Sequence, residues 1–325
     1  MRAYIIRRLS LLIPTVFVVS LIVFFLVKIL PGDIIDAIQR QSYDTELDRA
    51  AMEKALGLDA PVIIQYGRWV GVISDKDGNF SGILQGDLGT SWLKNMSVAE
   101  LLAEKWPVTL ELGLMALILS QLIALPIGIY SALRQDTWGD YVGRSFAILC
   151  ISIPDFWLAT LIIVMPAVWW GYMPPIMLIK FTNDPIGNLR MFIFPALILG
   201  MTLSGITIRM TRTTMLEVLR QDYIRTAWAK GLRERVVVVR HALKNALIPV
   251  VTIIGLQAPI IIGGTVIIEQ IFCLPGMGRL IISAVLQRDY PLISGILLLF
   301  TVGLVLINLM VDLTYAYLDP RVHYK

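Results

Sequence analysis

An all-α membrane fold with six spanning helices is what the sequence predicts, and three observations carry that reading. The 325 residues are 57% apolar and only 16% charged, against about 45–50% and about 25% in soluble globular proteins. Six stretches approach the roughly 20 apolar residues needed to cross the hydrocarbon core at about 1.5 Å per residue. Lysine and arginine are spread very unevenly between the segments that join them. So few charges cannot cover a soluble domain of this size, and the same figures exclude a disordered chain, a collagen and a disulfide-stapled secreted domain.

The first span runs from Leu9 to about Leu30 and is uncharged through Val27, with Lys28 placed to extend its amine outward. Its length, and the Lys-Ile-Leu-Pro-Gly that ends it, fit an uncleaved anchor better than a signal peptide. The second occupies Trp106 to Leu133, with Glu111 its only acid. The third follows Arg144 and ends near Trp170, interrupted by Asp155. The fourth is Met191 to Ile208, the fifth Ala246 to Ile268, and the sixth about Tyr290 to Val311. Pro14, Pro126, Pro154, Pro195 and Pro259 fall inside spans, where neighbouring helices satisfy the carbonyls that proline frees.

Charge gives the orientation. The N-terminus, the turn after span two, the stretch between spans four and five, and the C-terminus hold 16 of the 28 basic residues. Nine of these lie between spans four and five, from Arg209 to Lys244. The short segments on the other side hold four, so both termini are expected in the cytoplasm. The chain then divides into the N-terminus with span one (1–30), an extracytoplasmic lid of short helices (31–105), and a five-helix core (106–325) carrying a cytoplasmic loop (209–245).

Little in the sequence points to chemistry. His241 and His323 are far apart and have no cysteine or acid at ligand spacing, so no metal is expected. There is no Gly-x-Ser-x-Gly elbow and no phosphate-binding Gly-x-x-x-x-Gly-Lys loop, so neither an enzyme nor a bound nucleotide cofactor is indicated. A net charge of +4, dispersed along the chain, does not suggest nucleic acid. Asp155 lies ten residues into span three, about 15 Å deep on a straight helix. It is a candidate for a translocation pathway, with Gln121, Gln257 and Asn308; bonding between helices is the alternative for each. One deep acid without a basic or histidine partner is thin evidence for a proton relay, which leaves an ion-driven secondary carrier as the lesser alternative.

The loop is the most informative region. It reads Gln221-Asp222-Tyr223-Ile224-Arg225-Thr226-Ala227-Trp228-Ala229-Lys230-Gly231-Leu232. Asp222 is expected to cap a short helix that Gly231 stops, with Ile224, Ala227 and Trp228 on one face. A second helical segment follows through Val236–Val239 and Ala242–Leu247 toward Pro249. The apolar face is too short to anchor the helix on lipid, whereas an exposed Trp on a two-turn helix suits a protein groove.

Read as Asp222-Tyr223-x-Arg225-Thr226-Ala227-x-Ala229-Lys230-Gly231, the loop resembles the cytoplasmic signature of binding-protein-dependent ABC importer permeases, in the form of the oligopeptide/dipeptide (peptide/nickel) family. Arg225-Thr226-Ala227 stands where the general pattern has Glu-Ala-Ala. Gly231 precedes Pro249 by 18 residues, five more than that pattern, and both departures are typical of the peptide branch. Arg7-Arg8-Leu9 through Leu30-Pro31-Gly32-Asp33 is similar to the start of the first permease of the pair. So are Gly86-Asp87-Leu88-Gly89-Thr90-Ser91, Ser152-Ile153-Pro154-x-Phe156-Trp157, Leu274-Pro275-Gly276-x-Gly278-Arg279, Gln287-Arg288-Asp289-Tyr290-Pro291 and Tyr315-x-x-Leu318-Asp319-Pro320-Arg321 to its later motifs.

The resemblance implies a type I ABC importer permease fold in a prokaryotic inner membrane. It implies a second permease subunit as partner, two cytoplasmic ATPases that hold ATP and Mg, and an extracytoplasmic solute-binding protein. The cargo is expected to be di- or oligopeptides, with nickel chelates, glutathione or opines as alternatives. Coupling to the ATPases would fall on Asp222, Tyr223, Arg225, Thr226, Ala227, Trp228, Lys230 and Gly231.

Overall fold

The structure, a computed structural model, describes residues 2–29, 35, 49–55, 57–74, 78–171, 175, 177–263 and 265–318. The motif at 30–33, the last three residues of the one at 315–321, and the terminal bases Arg321 and Lys325 lie outside what is described. Among the described residues there is no strand, only an isolated bridge between Thr90 and Ser97. The principal helices are α1 (Arg2–Ile29), α2 (Arg49–Ala55), α3 (Val62–Val70), α4 (Val98–Leu133), α5 (Trp138–Ser152), α6 (Asp155–Trp170) and α7 (Pro185–Leu219). They are followed by α8 (Asp222–Ala229), α9 (Lys244–Gln257), α10 (Val266–Ile271), α11 (Met277–Gln287) and α12 (Tyr290–Leu318).

Local chemistry sets the boundaries. The α7 helix begins where the Asp184 carboxylate accepts the Gly187 amide at 2.9 Å, with Pro185 in the first turn, where its missing N–H costs nothing. Both α3 and α6 start directly after a proline and end on a glycine at positive φ, Gly71 and Gly171.

Among the described residues, five helical stretches are long and apolar enough to cross a membrane, and a sixth is made by α5 and α6 together. That third span is not straight. The Ser152-Ile153-Pro154 break, with Ile153 extended and Pro154 unable to donate, turns α6 by 92° from α5. The fifth span is also uneven: a π-helical run, Val237–Leu243, leads into α9.

The described chain falls into two compact units. One comprises the first residues, Val108–Leu274 and the chain from Leu306. Its core is built on Leu112, Phe192, Ile198, Ile268 and Leu274, each under 2% exposed. Here α5 and α7 meet at backbone distance: a Cβ on Gly205 would lie 2.7 Å from the Ala147 carbonyl, so glycine alone fits.

The other unit comprises Ile6–Pro107 and Pro275–Val305. Val98, Leu101 and Leu102 of α4 pack on Met277, Leu280 and Ala284 of α11 and on Leu292, Ile293 and Ile296 of α12. The buried Asp289 carboxylate accepts the Ser91 hydroxyl, and the Trp92 and Leu292 amides approach it at 3.4 Å. Two sequence motifs, Gly86–Ser91 and Gln287–Pro291, thus meet in one buried clasp.

Candidate functional site

The loop between α7 and α9 carries α8. Its first helical bond is accepted by the Gln221 carbonyl, 3.1 Å from the Ile224 amide, so Gln221 is the N-cap. Asp222, expected there, lies instead in the first turn, with its side chain almost fully exposed and 3.3 Å from Arg225. A carboxylate there still meets the positive end of the helix dipole. The helix closes as the sequence predicts, on Gly231 at φ 73°. The Leu232 amide reaches back to the Ala227 carbonyl and that of Gly231 to Trp228, the glycine-terminated pattern that satisfies the last carbonyls.

Two side chains pin α8 down. Ile224 and Ala227, 0% and 7% exposed, enter a cluster with Ala132, Met215, Val237, Val238, Ala242 and Ala246. Trp228 does not join them. One residue on from Ala227 it is rotated by about 100°, and it stands 44% exposed, as does Tyr223 at 42%. Arg225, Thr226 and Lys230 complete the outward face. The Tyr223 hydroxyl accepts a hydrogen bond from Asn245 Nδ2 at 2.8 Å, which fixes the ring against α9. The helix is therefore a rigid ridge, apolar below and aromatic and basic above.

Just behind this ridge is a charged lock that pattern reading did not single out. Asp140, fully buried in the first turn of α5, receives Arg212 Nε at 2.7 Å and Nη2 at 2.8 Å, and the Asp136 amide at 3.0 Å. Arg144 lies 3.6 Å away. Arg212 sits one turn before Met215, which supports α8. The signal in the sequence was an acid four residues before an arginine at a span entrance, which also reads as an exposed helix pair.

The pathway candidates separate. Asp155 opens α6 at the bend and accepts the Thr202 hydroxyl of α7, so the depth expected from a straight helix does not apply. Gln257 is buried, donating to the Leu203 carbonyl at 3.0 Å and lying 3.4 Å from Thr207. It ties α9 to α7, the interhelical alternative. Gln121 donates to its neighbour Ser120, and its Oε1 is buried without a partner. Asn308 is exposed. Two further buried polar groups were not anticipated: Glu269 accepts the Thr109 hydroxyl at 2.7 Å, both fully buried. Among the described residues no cluster of three or more metal-type ligands occurs.

Comparison with known proteins gives consistent matches. Residues 124–324 match the family model described as binding-protein-dependent transport system inner membrane component. Residues 1–113 match the N-terminal model of the corresponding membrane components. A Brucella suis biovar 1 protein, provisionally named as a peptide transport system permease, is 40% identical over the full length of both chains. The glutathione transport system permease protein GsiC of Salmonella paratyphi A is 37% identical over 99% of each. A chain from the crystal structure of an amino acid ABC transporter with histidines superposes with a TM-score of 0.52 at 15% identity, covering 67% of this chain and 94% of that one.

Proposed function

We propose, for a chain that belongs to the family of binding-protein-dependent transport system inner membrane components, that α8 is where the energy of transport enters it. The chain is the multi-pass, non-enzymatic permease of an ABC importer that works with other subunits. In our reading those are a second permease, two cytoplasmic ATPases that bind ATP and Mg, and an extracytoplasmic solute-binding protein. The orientation, with both termini cytoplasmic, rests on the skew of basic residues.

The observation that carries the proposal is the ridge. Ile224 and Ala227 hold α8 on the bundle while Tyr223 and Trp228 stand out of it, flanked by Arg225, Thr226 and Lys230. Exposed aromatic and basic anchors on a rigid helix are the groups that dominate protein–protein contacts. Gln221 caps the start of the helix, the Asp222 carboxylate lies in its first turn, and Gly231 stops it. An ATPase groove closing on ATP would move α8, and with it α7 and α5.

The cargo in this reading is a small peptide, on the likeness to the Brucella protein. Glutathione, itself a tripeptide, is the second reading on the likeness to GsiC. Asp155 and Gln121 are the polar groups we assign to the pathway; Gln257 serves between helices.

Trp228→Ala tests the assignment. Its ring contributes little to the core, so the amount of permease in the membrane should match the parent. Loss of a central aromatic anchor costs about 2 kcal/mol or more of binding, about thirtyfold in affinity. ATPase subunits should fail to co-purify, and ATP-driven uptake should collapse. Normal co-purification and uptake would refute the assignment.

A further inference from the structure

Helix α3 belongs by sequence to the extracytoplasmic segment, yet its contacts lie along the membrane span of α1. Gln65 Oε1 accepts from Lys28 Nζ at 2.5 Å, and the Tyr66 and Ser20 hydroxyls are 2.8 Å apart. The Phe24 ring lies 5.3 Å from Tyr66 and 5.7 Å from Trp69, centroid to centroid. The apolar span of α1 is Ser10–Ile29. Phe24 is five residues inside its end and Ser20 nine, depths of about 7 and 13 Å at 1.5 Å per residue. A helix held at those positions is below the surface of the bilayer: the Phe24 contact falls in the layer about 5–10 Å deep that amphipathic interfacial helices occupy, and the Ser20 contact reaches just beneath it.

The outward surface of α3 and the turn after it suits that layer. Val62, Ile63, Val72 and Ile73 are 44%, 79%, 62% and 37% exposed. Arg68 is the only charge between Ala60 and Ile73. The polar amide of Gln65 is turned inward, donating to the Leu58 and Ala60 carbonyls at 3.1 and 2.7 Å. Lys28 and Arg68 line one groove of about 200 Å³ with Trp69 and Tyr290, and among the described residues no acid lines it. Arg68 Nε is buried, with no hydrogen-bond partner among the described residues. Two cations among interfacial aromatics complement a layer of lipid phosphates.

We infer that α3 is seated in the lipid leaflet at the outer end of α1, with its Val62–Ile63 edge in the acyl chains and Lys28 and Arg68 facing lipid phosphate. The surface of α1 continues this edge, since Ile22, Phe25, Leu26 and Ile29 are also exposed. The inference is independent of which solute is carried and of the assignment of α8; the orientation decides only which leaflet is involved.

The test is collision accessibility of a spin label at Ile63→Cys, in the full chain with Cys150 and Cys273 replaced. The assembled transporter is placed in nanodiscs of phosphatidylethanolamine and phosphatidylglycerol. A label at Ile22→Cys on α1 is the lipid reference. At Ile63, collisions with oxygen should exceed those with a water-soluble nickel chelate several-fold, as at Ile22. Dominant nickel collisions would place α3 in water and overturn the inference. Inaccessibility to both would mean a protein partner covers this edge, which overturns it equally. Because Ile63 is 79% exposed, the label does not disturb folding. A parallel label at Val72→Cys, also exposed, must give the same ordering.

Discussion

Replacing Asp140 with alanine removes one half of a buried ion pair, and the structure sets the expected cost. The carboxylate is inaccessible to solvent and accepts two bonds from Arg212 at 2.7 and 2.8 Å, while Arg212 is 18% exposed. Breaking a buried pair by deleting one partner costs about 3–5 kcal/mol, because the remaining charge stays desolvated. Partial access of water to Arg212 puts the expectation at the lower end, about 3 kcal/mol, or about a hundredfold in the folding equilibrium. The double substitution Asp140→Leu with Arg212→Met removes both charges and should recover to within about 1 kcal/mol of the parent. The assay is reversible unfolding in mixed micelles followed by helical circular dichroism, with Asp140→Leu, Arg212→Met and their double closing a cycle beside Asp140→Ala. A cost below 1 kcal/mol for Asp140→Ala, or a double variant less stable than either single, would refute the reasoning.

Two further substitutions examine the bundle around this lock. Asp155→Asn keeps an acceptor for the Thr202 hydroxyl, so stability should stay within about 1 kcal/mol while uptake rate or selectivity changes; unaltered uptake would assign Asp155 to structure alone. Gly205→Val drives a side chain into the Ala147 carbonyl, and overpacking of this kind costs about 1–3 kcal/mol or more. The midpoint of thermal unfolding should fall by several degrees, and an unchanged midpoint would contradict the close approach of α5 and α7.

Much of the membrane architecture was legible because the hydrocarbon core imposes one length on every span. Apolar runs near 20 residues and their basic flanks located the helices that begin at Ser10, before Trp106, at Pro185 and at Tyr290. The third span was legible in composition but not in shape. Pro154 marks a break, yet periodicity is blind to a 92° change of direction. In the loop, Gly231 announced its own conformation because few other residues accept positive φ. Asp222 did not reveal its place, since an acid is favourable at both the N-cap and the first turn. Asp140 and Glu269 escaped notice for a common reason. A buried acid is distinguished only by its partner, and Arg212 and Thr109 are remote in sequence.

The bend at Pro154 has a mechanical meaning. The α6 helix has 16 residues, a length of about 24 Å, and leaves α5 nearly at a right angle. An arm set crosswise to its support magnifies twist into sweep. If α5 turned about its own axis by about 10°, within the range of rigid-body transitions, the far end of α6 near Trp169 and Trp170 would travel about 4 Å. A straight span of the same length would merely spin in place. The kink therefore gives this permease a crank, whose stroke is set by the number of residues between Asp155 and Trp170.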